Sequence, residues 1–331
     1  MPTQTNRLLE LREAGEPGEI PYVSKSRVKK WITCPEQFNY SYLKGYKEPE
    51  NRYMRRGTVV HEAIEDYYAE AEAFVEKYGV MPSLRELVGF LPDSIRWADH
   101  TEPYITNFLC FERRRQEALY HLDTEEEAAR EWLPVAVEAE EWLDDPLGYG
   151  DDAIPWMGYA DAIYPASGFP EIDADEGVVI VDFKTGKTPD PKYRDEGIYL
   201  EGEYYAMLFE SEWEVAGVAG YYPKADDLIV SPLKESRQEK IREVVHAFQA
   251  VSGTAPGHLD TDEQPLCYWD EGEGNHCPYY DMCSSRWGEP LKHADKTREL
   301  LDSGLSEYEV AAELDCEPNH VYYAKKKLGI N

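Results

Sequence analysis

Two charged side chains at the end of a short apolar run are the first residues of this chain that could do chemistry. Asp182 and Lys184 follow residues 178–181, which are all aliphatic and β-branched. The run predicts a buried strand, and because side chains alternate along a strand, Asp182 and Lys184 face the same way. A buried carboxylate and ammonium must pair or bind a ligand to offset their lost hydration. They therefore indicate either a functional site or an ion pair at the surface end of a strand.

A second carboxylate, Asp161, lies in an earlier strand-like run at residues 156–164. Turns rich in Asp, Gly and Pro separate such runs, which is typical of an antiparallel meander and would bring Asp161 next to Asp182. Carboxylates are the hard oxygen ligands that Mg²⁺ or Mn²⁺ prefers. Such an ion polarises a phosphoryl oxygen and lowers the pKa of a bound water, while Lys184 would orient that water or offset developing charge. The pattern predicts metal-dependent hydrolysis of a phosphate ester.

The elements that would position these residues follow a β-β-β-α-β order. Strand patterns cover residues 135–142, 156–164, 177–184 and 215–222, and helical patterns cover residues 199–210 and 235–251. The predicted fold class is α/β, with a central mixed β-sheet flanked by helices.

Helices are expected in the part of the chain before the sheet. Residues 24–33 predict a short helix that Ser24 or Ser26 caps and that ends before Pro35, because the residue before a proline disfavours the helical conformation. A second helix is expected to start at Thr58 and to carry His61 on one face. A lone histidine on such a face is more often a hydrogen-bonded structural residue than a ligand.

A charged segment with a helical pattern, residues 70–130, predicts a helical insertion. Cys110 lies among apolar residues there and is expected to be a small buried side chain. Three consecutive arginines at residues 113–115 could contact a phosphate backbone or pair with the surrounding acids.

The composition is strongly acidic, with 34 Lys and Arg against 66 Asp and Glu and a net charge of −32. Acidic disordered tails lack aromatic residues, whereas this chain has 25 Tyr and 8 Trp and spreads its acids along its length. The charge fits a folded surface in a cytoplasm at molar salt, where the Debye length is roughly 3 Å. We expect a protein of an extreme halophile or of one of its viruses. No apolar run is long enough for a signal peptide or membrane span, so a soluble, cytoplasmic protein is expected.

Several motifs together resemble a known nuclease family. The motifs are Gly57-x-x-x-His61, Gly158-x-x-Asp161, Asp182-x-Lys184 and Glu201-x-x-x-Tyr205. Their order and spacing over residues 24–290 resemble the RecB-like branch of the PD-(D/E)XK nuclease superfamily. The resemblance implies a restriction-endonuclease-like core and a nuclease that depends on Mg²⁺ or Mn²⁺.

The resemblance also implies roles for single residues. Asp161 and Asp182 would be metal ligands, His61 a further ligand, and Lys184 the catalytic lysine. Tyr205 matches the tyrosine of the family's helix motif. That motif usually begins with glutamine, and this chain has Glu201, whose added negative charge could supply a ligand or weaken the binding of a substrate phosphate.

Four cysteines supply the thiolates that a [4Fe–4S] cluster needs: Cys34, Cys267, Cys277 and Cys283. On ligand number alone they could hold zinc equally well, and disulfides are not expected in a reducing cytosol. One N-terminal cysteine followed by a distant C-terminal group of three cysteines resembles the iron–sulfur members of the RecB-like branch, such as the AddB-type and CRISPR-associated nucleases. The gap between the second and third cysteines is longer here than in those proteins. The resemblance favours iron–sulfur. Ligation would fasten Cys34 to residues 267–283 as a clasp.

The last part of the chain, residues 294–331, has the pattern of three short helices. Gly304 would end the first, Ser306 would cap the second, and a tight turn near Asp315 would place Cys316 in an apolar slot. The segment resembles a helix-turn-helix of the resolvase or sigma-factor type, although similar bundles also dock proteins. On that resemblance the residues facing DNA would be Asn319, His320, Tyr322, Tyr323, Lys325, Lys326 and Lys327.

These inferences combine into one prediction of domains and function. The expected order is a flexible arm at residues 1–20, a nuclease domain at 21–290 and the helix-turn-helix at 294–331. The expected activity is that of a metal-dependent DNA exonuclease acting on single-stranded ends. The expected setting is recombination, repair, replication or CRISPR adaptation, with partner proteins from these processes. The alternatives are a DNA-binding regulator that uses a nuclease fold and a subunit whose cleavage depends on a partner.

Overall fold

The computed structural model describes residues 10–11, 18–47, 52–93, 102–174, 176–253, 279, 294–316, 318, 321–322, 324–325 and 329–330. The chain forms two units. One consists of Met1–Gly18, Lys30–Pro49 and Thr254–Asn331, and the other of Glu19–Lys29 and Glu50–Gly253.

The second of these units is built on a mixed β-sheet. The strands of the described chain are β1 (Glu10–Leu11), β2 (Tyr46–Lys47), β3 (Ala136–Leu143), β4 (Trp156–Pro165), β5 (Val178–Phe183), β6 (Val215–Tyr222) and β7 (Asp227–Ser231). Strands β3 to β7 form one sheet in chain order, in which β5 and β6 are parallel and the other neighbours are antiparallel. The predicted α/β class and the β-β-β-α-β order are confirmed. Strand β7 was not predicted, because its apolar core is only three residues long.

The α-helices of the described chain belong to both units, and those of the unit with the sheet cover its two faces. They are α1 (Lys25–Thr33), α2 (Pro35–Phe38), α3 (Arg52–Tyr78), α4 (Leu84–Gly89), α5 (Glu102–Ala118), α6 (Glu125–Trp132), α7 (Ile198–Phe209), α8 (Glu235–Val251), α9 (Ala294–Asp302) and α10 (Glu307–Glu313). On one face, α3, α5 and α6 bury a core that includes Tyr67, Phe108 and Trp132. Burial of large aromatic side chains contributes much of the folding free energy of such a core.

The opposite face of the sheet is covered by α7, and two glycines let it approach closely. A Cβ added at Gly202 would lie 2.6 Å from the Cβ of Val218 on β6. A Cβ added at Gly158 would lie 2.8 Å from the ring of Tyr205. The glycine of the Gly158-x-x-Asp161 motif is therefore required by helix packing against the strand that carries Asp161.

Two expectations about the helical region are wrong. The helix carrying His61 begins at Arg52 rather than at Thr58, because nothing between them breaks a helix and Gly57 costs only about 1 kcal/mol within one. Cys110 is exposed, because Phe108 and Phe111 occupy the buried face of α5. The predicted helix at residues 24–33 is confirmed, and the Ser24 hydroxyl accepts a hydrogen bond from the backbone N–H of Arg27.

The three arginines of α5 pair with acids rather than forming an open basic patch. Arg114 makes two hydrogen bonds to Asp226, and Arg113 pairs with Glu117. Arg115 is buried with Glu112, and the two are 3.1 Å apart. Of the two interpretations, pairing with neighbouring acids is the one observed.

The other unit contains a small helical core near the C-terminus. Val310, Ala311, Leu314 and Val321 are buried together, and Cys316 packs against them as predicted. Gly304 has a φ of 91° just after α9, and Ser306 forms a capping box with Glu309 at the start of α10. In the described part of the chain, no helix is long and apolar enough to cross a membrane.

Candidate functional site

The two predicted aspartates lie side by side on neighbouring strands of the sheet. The β4–β5 ladder pairs Ala162 with Val181, so Asp161 and Asp182 are the next residues beyond that pair. The Asp161 Oδ2 accepts a hydrogen bond of 2.6 Å from the backbone N–H of Phe183, which fixes its orientation. Both aspartates are buried. The meander therefore brings them together as the sequence predicted.

One side of the site, the carboxylate half, consists of His61, Glu138 and Asp161. One ligand atom from each of these residues lies within 4.8 Å of those from the other two. The His61 Nδ1 is 3.8 Å from Glu138 Oε1 and 3.7 Å from Asp161 Oδ1. Among the described residues, this is the group of His, Cys, Asp and Glu side chains that could hold a metal ion.

The orientation of His61 is set by the backbone of β5. Its Nε2 lies 3.0 Å from the Phe183 carbonyl oxygen, and because a carbonyl only accepts, Nε2–H is the donor. In the neutral imidazole the lone pair then lies on Nδ1, which faces Glu138 and Asp161. Metal-binding histidines are commonly held this way, with the other ring nitrogen donating to a carbonyl.

Glu138 reaches the site because its backbone is unusual. Its φ is 47°, and the β3–β4 ladder passes from Val137 to Ala139 without a pairing at Glu138. A non-glycine residue in this conformation is strained by about 1–3 kcal/mol and is often found at functional sites. Sequence reasoning missed this residue, because it stands in a run of similar acids with no spacing that sets it apart.

The other side of the site, the lysine half, consists of Asp182, Glu201, Lys25, Lys29 and Lys184. The Lys184 Nζ lies 2.5 Å from Asp182 Oδ2 and 2.9 Å from Glu201 Oε2. The Lys25 Nζ lies 2.7 Å from Asp182 Oδ1 and 3.8 Å from Glu201 Oε2. Lys29 pairs with the second oxygen of Glu201. Three ammonium groups thus surround two buried carboxylates, and the lysine half has a net charge of +1.

The ionisation of the two aspartates differs accordingly. Burial, and next the neighbouring Asp182, raise the pKa of Asp161 to about 6, although His61 and Lys25 oppose the shift. Burial also favours protonated Asp182, but Lys184 and then Lys25 outweigh it and hold the pKa of Asp182 well below its usual range. Adjacent carboxylates whose pKa values are pushed apart are typical of sites that move protons or bind cations.

Glu201 and Tyr205 lie where the helix motif places them, on the face of α7 toward the site. Burial disfavours the charged form of Glu201, yet Lys184 leads the neighbouring charges that lower its pKa. Tyr205 is buried, and the Lys25 ammonium lies 4.9 Å from the centre of its ring. The extra charge of Glu201 is therefore balanced by lysines and does not join the carboxylate half.

The carboxylate half fits a divalent metal ion. The His61 Nδ1 lies 3.7–3.8 Å from a carboxylate oxygen of each partner, and all three ligand atoms lie within 4.8 Å of one another. The two carboxylates suit Mg²⁺ or Mn²⁺, and the imidazole nitrogen favours a transition-metal ion such as Mn²⁺.

Two of the missed residues come from α1. Lys25 and Lys29 are four positions apart, so they share one face of the helix. A cluster of four basic residues at positions 25–30, in a chain with a net charge of −32, was the available signal.

The remaining predicted site residues belong to the other unit, and several are outside the described residues. Cys34 is half-buried just before α2, whereas Cys267, Cys277 and Cys283 are outside the described residues. Tyr322 is exposed, and Lys325 lies 3.5 Å from Glu307. The remaining residues of the predicted DNA-facing set are also outside the described part: Asn319, His320, Tyr323, Lys326 and Lys327.

Comparison with known proteins agrees with the geometry. The family model of the PD-(D/E)XK nuclease superfamily matches residues 22–284, well over half of the chain. No curated protein matches the chain. The matched region contains the five-stranded sheet, both aspartates, Lys184 and the lysines of α1. The chain belongs to the PD-(D/E)XK nuclease superfamily.

Proposed function

We propose that the protein is a metal-dependent DNA exonuclease of the RecB-like branch, and that its active site joins the carboxylate half to the lysine half. The observation that carries the proposal is the convergence of His61, Asp161, Asp182 and Lys184 at one place. These residues come from α3, β4 and the end of β5. Members of the superfamily are generally metal-dependent nucleases, so phosphodiester hydrolysis is the reaction that this set serves.

His61, Glu138 and Asp161 would hold Mg²⁺ or Mn²⁺, with Asp182 as a further ligand on the neighbouring strand. When bound, such an ion polarises the phosphoryl oxygen and lowers the pKa of a water. Lys184 keeps its charge, since burial would lower its pKa but Asp182 raises it further. Its ammonium would orient the attacking water or stabilise the charge that develops on the phosphate. Tyr205 supports the lysine half from α7.

Two exposed aromatic rings support single-stranded DNA as the substrate. Trp142 is 47% exposed and Tyr159 is 45% exposed, although large rings are ordinarily buried. Trp142 Nε1–H and Tyr159 O–H both donate to Glu140 Oε1, each at 2.8 Å. This shared acceptor fixes the edges of the two rings, and Tyr22 packs against Trp142 in a T-shaped contact with the ring centres 5.9 Å apart. The exposed area that remains on both rings suits stacking of unpaired bases. Tyr159 precedes Asp161 by two residues, or about 7 Å along a strand.

The cysteine clasp and the C-terminal module complete the proposal. Cys34, Cys267, Cys277 and Cys283 would bind a [4Fe–4S] cluster, with zinc as the alternative. Residues 294–331 would be a helix-turn-helix that delivers the nuclease domain to DNA, in recombination, repair, replication or CRISPR adaptation. The acidic surface would suit the high-salt cytoplasm of a halophilic host.

A degradation assay tests the activity. Anaerobically purified protein is incubated in molar KCl and Mn²⁺ with end-labelled linear single-stranded DNA, and with circular single-stranded DNA as the matched substrate. We expect the linear DNA to be degraded and the circular DNA to survive. Cleavage of both would indicate an endonuclease, and cleavage of neither would favour a DNA-binding regulator or a subunit that needs a partner.

A separate measurement tests the cluster. An iron–sulfur protein absorbs visible light and contains iron and sulfide in equal amounts, whereas a zinc protein does neither. We expect the Cys277→Ser variant to lose this absorption. Retention of the full signal in that variant would contradict the proposed ligand set.

A further inference from the structure

The three lysines of the lysine half are unusual for this chain. Acids outnumber basic residues by 66 to 34, yet three ammonium groups meet at two carboxylates. Lys184 follows β5 directly, whereas Lys25 and Lys29 belong to a different element, α1. A buried carboxylate pair needs two cations for neutrality. The third cation leaves the lysine half with one more positive charge than its own two carboxylates balance.

Lys25 is held in position from two sides. Its Nζ lies 2.7 Å from Asp182 Oδ1 and 4.9 Å from the centre of the Tyr205 ring. Its side chain is only 16% exposed. The entropy cost of ordering this long, flexible side chain therefore arises on folding and not on ligand binding. An ammonium carries three donors. Asp182 and the Tyr205 hydroxyl accept two of those of Lys25, which leaves one for a ligand.

We propose that Lys25 binds an oxygen of the substrate phosphate at the scissile bond, and that Lys29, four residues further on the same face of α1, binds the neighbouring phosphate on the strand. This inference rests on the proposed nuclease function and assigns the lysine half its ligand. The excess positive charge offsets that of one phosphodiester. Asp182 and Glu201 hold the two ammonium groups in place and, by leaving each of them at least one donor to spare, keep them available to the substrate.

The two halves of the site then have separate ligands. The carboxylate half carries two carboxylates and an imidazole, which suit a dication, and the lysine half suits an anion. Lys25 is the link between them, because it contacts Asp182, whose neighbour Asp161 belongs to the carboxylate half. A phosphate bound to Lys25 would therefore lie beside the metal ligands.

The test is the salt dependence of DNA binding. The logarithm of the affinity for single-stranded DNA falls with the logarithm of salt concentration, with a slope of about 0.7 for each phosphate contact. Binding of a fluorescent oligothymidylate is measured by anisotropy over a series of KCl concentrations, with Ca²⁺ in place of Mn²⁺ to slow cleavage. We expect Lys25→Met to bind more weakly and to reduce the slope by about 0.7. Lys25→Arg should keep the wild-type slope.

Two further variants guard against a loss of folding. Lys29 is half-exposed, so Lys29→Met should fold normally and still reduce the slope. Lys77→Met is the matched control, because Lys77 is an exposed lysine sixteen residues beyond His61 on α3 and its ammonium lies over Tyr78. A folded Lys25→Met or Lys29→Met variant with the affinity and slope of the Lys77→Met control would overturn the inference.

Kinetics separate this inference from the proposed function. If the wild-type protein degrades DNA, Lys25→Met should raise KM more than it lowers kcat, because a phosphate contact contributes to substrate binding. Active wild-type protein with an unchanged KM in Lys25→Met would refute the role of Lys25 and leave the nuclease in place. If the wild-type protein does not degrade DNA but the slope still falls in Lys25→Met, the nuclease fails and the phosphate contact stands.

Discussion

The carboxylate half and the lysine half of the site each contain one of two aspartates on neighbouring strands, but the halves have opposite electrostatic character. In the first, His61, Glu138 and Asp161 approach one another, no lysine among the described residues forms an ion pair with them, and the pKa of Asp161 is raised to about 6. In the second, each oxygen of Asp182 lies within 2.7 Å of a lysine ammonium. Asp161 and Asp182 lie next to each other on neighbouring strands, yet their electrostatic environments differ.

The difference shows how one site can bind two ligands of opposite charge. A dication is attracted where carboxylates repel each other, and a phosphate is attracted where ammonium groups outnumber carboxylates. The contrast depends on elements other than the two strands that carry the aspartates. Helix α3 and the unusual backbone of Glu138 supply one half, and α1 with α7 supplies the other. Comparing substitutions in one half with substitutions in the other tests this division.

The largest effect is expected on catalysis. Lys184→Ala and Asp161→Asn should each reduce kcat on single-stranded DNA by on the order of 10²- to 10³-fold, as loss of a charge-stabilising group does in other enzymes. Degradation of labelled DNA in Mn²⁺ measures this, with Lys77→Met as the control that keeps wild-type activity. Equal activity of Lys184→Ala and the control would show that the lysine half has no part in the reaction.

A smaller effect is expected at the exposed rings of Trp142 and Tyr159. It tests whether the nucleic acid bound at the site has unpaired bases. Trp142→Ala should weaken the binding of single-stranded DNA by about fivefold or more, since stacking contributes about 1–3 kcal/mol per base. Duplex DNA has no unpaired bases, so its binding should change little. Tyr78→Ala, which removes another exposed ring, is the control in the same anisotropy experiment. An equal loss for both kinds of DNA would count against stacking.

Effects of similar size are expected on stability, and they should have opposite signs in the two halves. With metal removed by a chelator, Asp161→Asn should stabilise the protein at pH 8, because ionised Asp161 is disfavoured by burial. The gain should be about 1–3 kcal/mol and should vanish below pH 4, where the carboxyl is protonated in the folded and unfolded states.

Asp182→Asn is the matched variant for the other half. The pKa of Asp182 is lowered in the folded state, so its charge stabilises the protein above the unfolded pKa, and that contribution is lost as the pH falls. Asp182→Asn should therefore destabilise the protein at pH 8, where it leaves Lys25 and Lys184 without their carboxylate. Urea unfolding at both pH values measures both variants. Shifts of the same sign would mean that the two aspartates do not differ as described.

The sheet and the pairing of the aspartates could be predicted because local patterns decide them. Four β-branched residues before Asp182 specify a buried strand, and the turns rich in Asp, Gly and Pro between the runs favour antiparallel neighbours. The position of Lys184 on the same side as Asp182 then follows from the period of the strand.

Lys25, Lys29 and Glu138 could not be predicted in the same way. The two lysines reach the site through the packing of α1 near residues more than 150 positions away, and no local pattern encodes such a distance. Glu138 reaches it through a positive φ, which sequence rules reserve mainly for glycine and asparagine. The sequence motif identified Glu201 but not its partners on α1. Only the structure therefore shows that lysines balance its charge.

A titration with Mn²⁺ tests the division of the site most directly. Binding is measured by calorimetry on metal-free protein for the wild type, Glu138→Gln and Lys25→Met, with Glu140→Gln as the control on the same strand. We predict that Glu138→Gln weakens Mn²⁺ binding by about tenfold or more, as loss of groups at metal sites commonly does, while Lys25→Met does not weaken it. Weaker binding in Lys25→Met, or wild-type affinity in Glu138→Gln, would contradict the account.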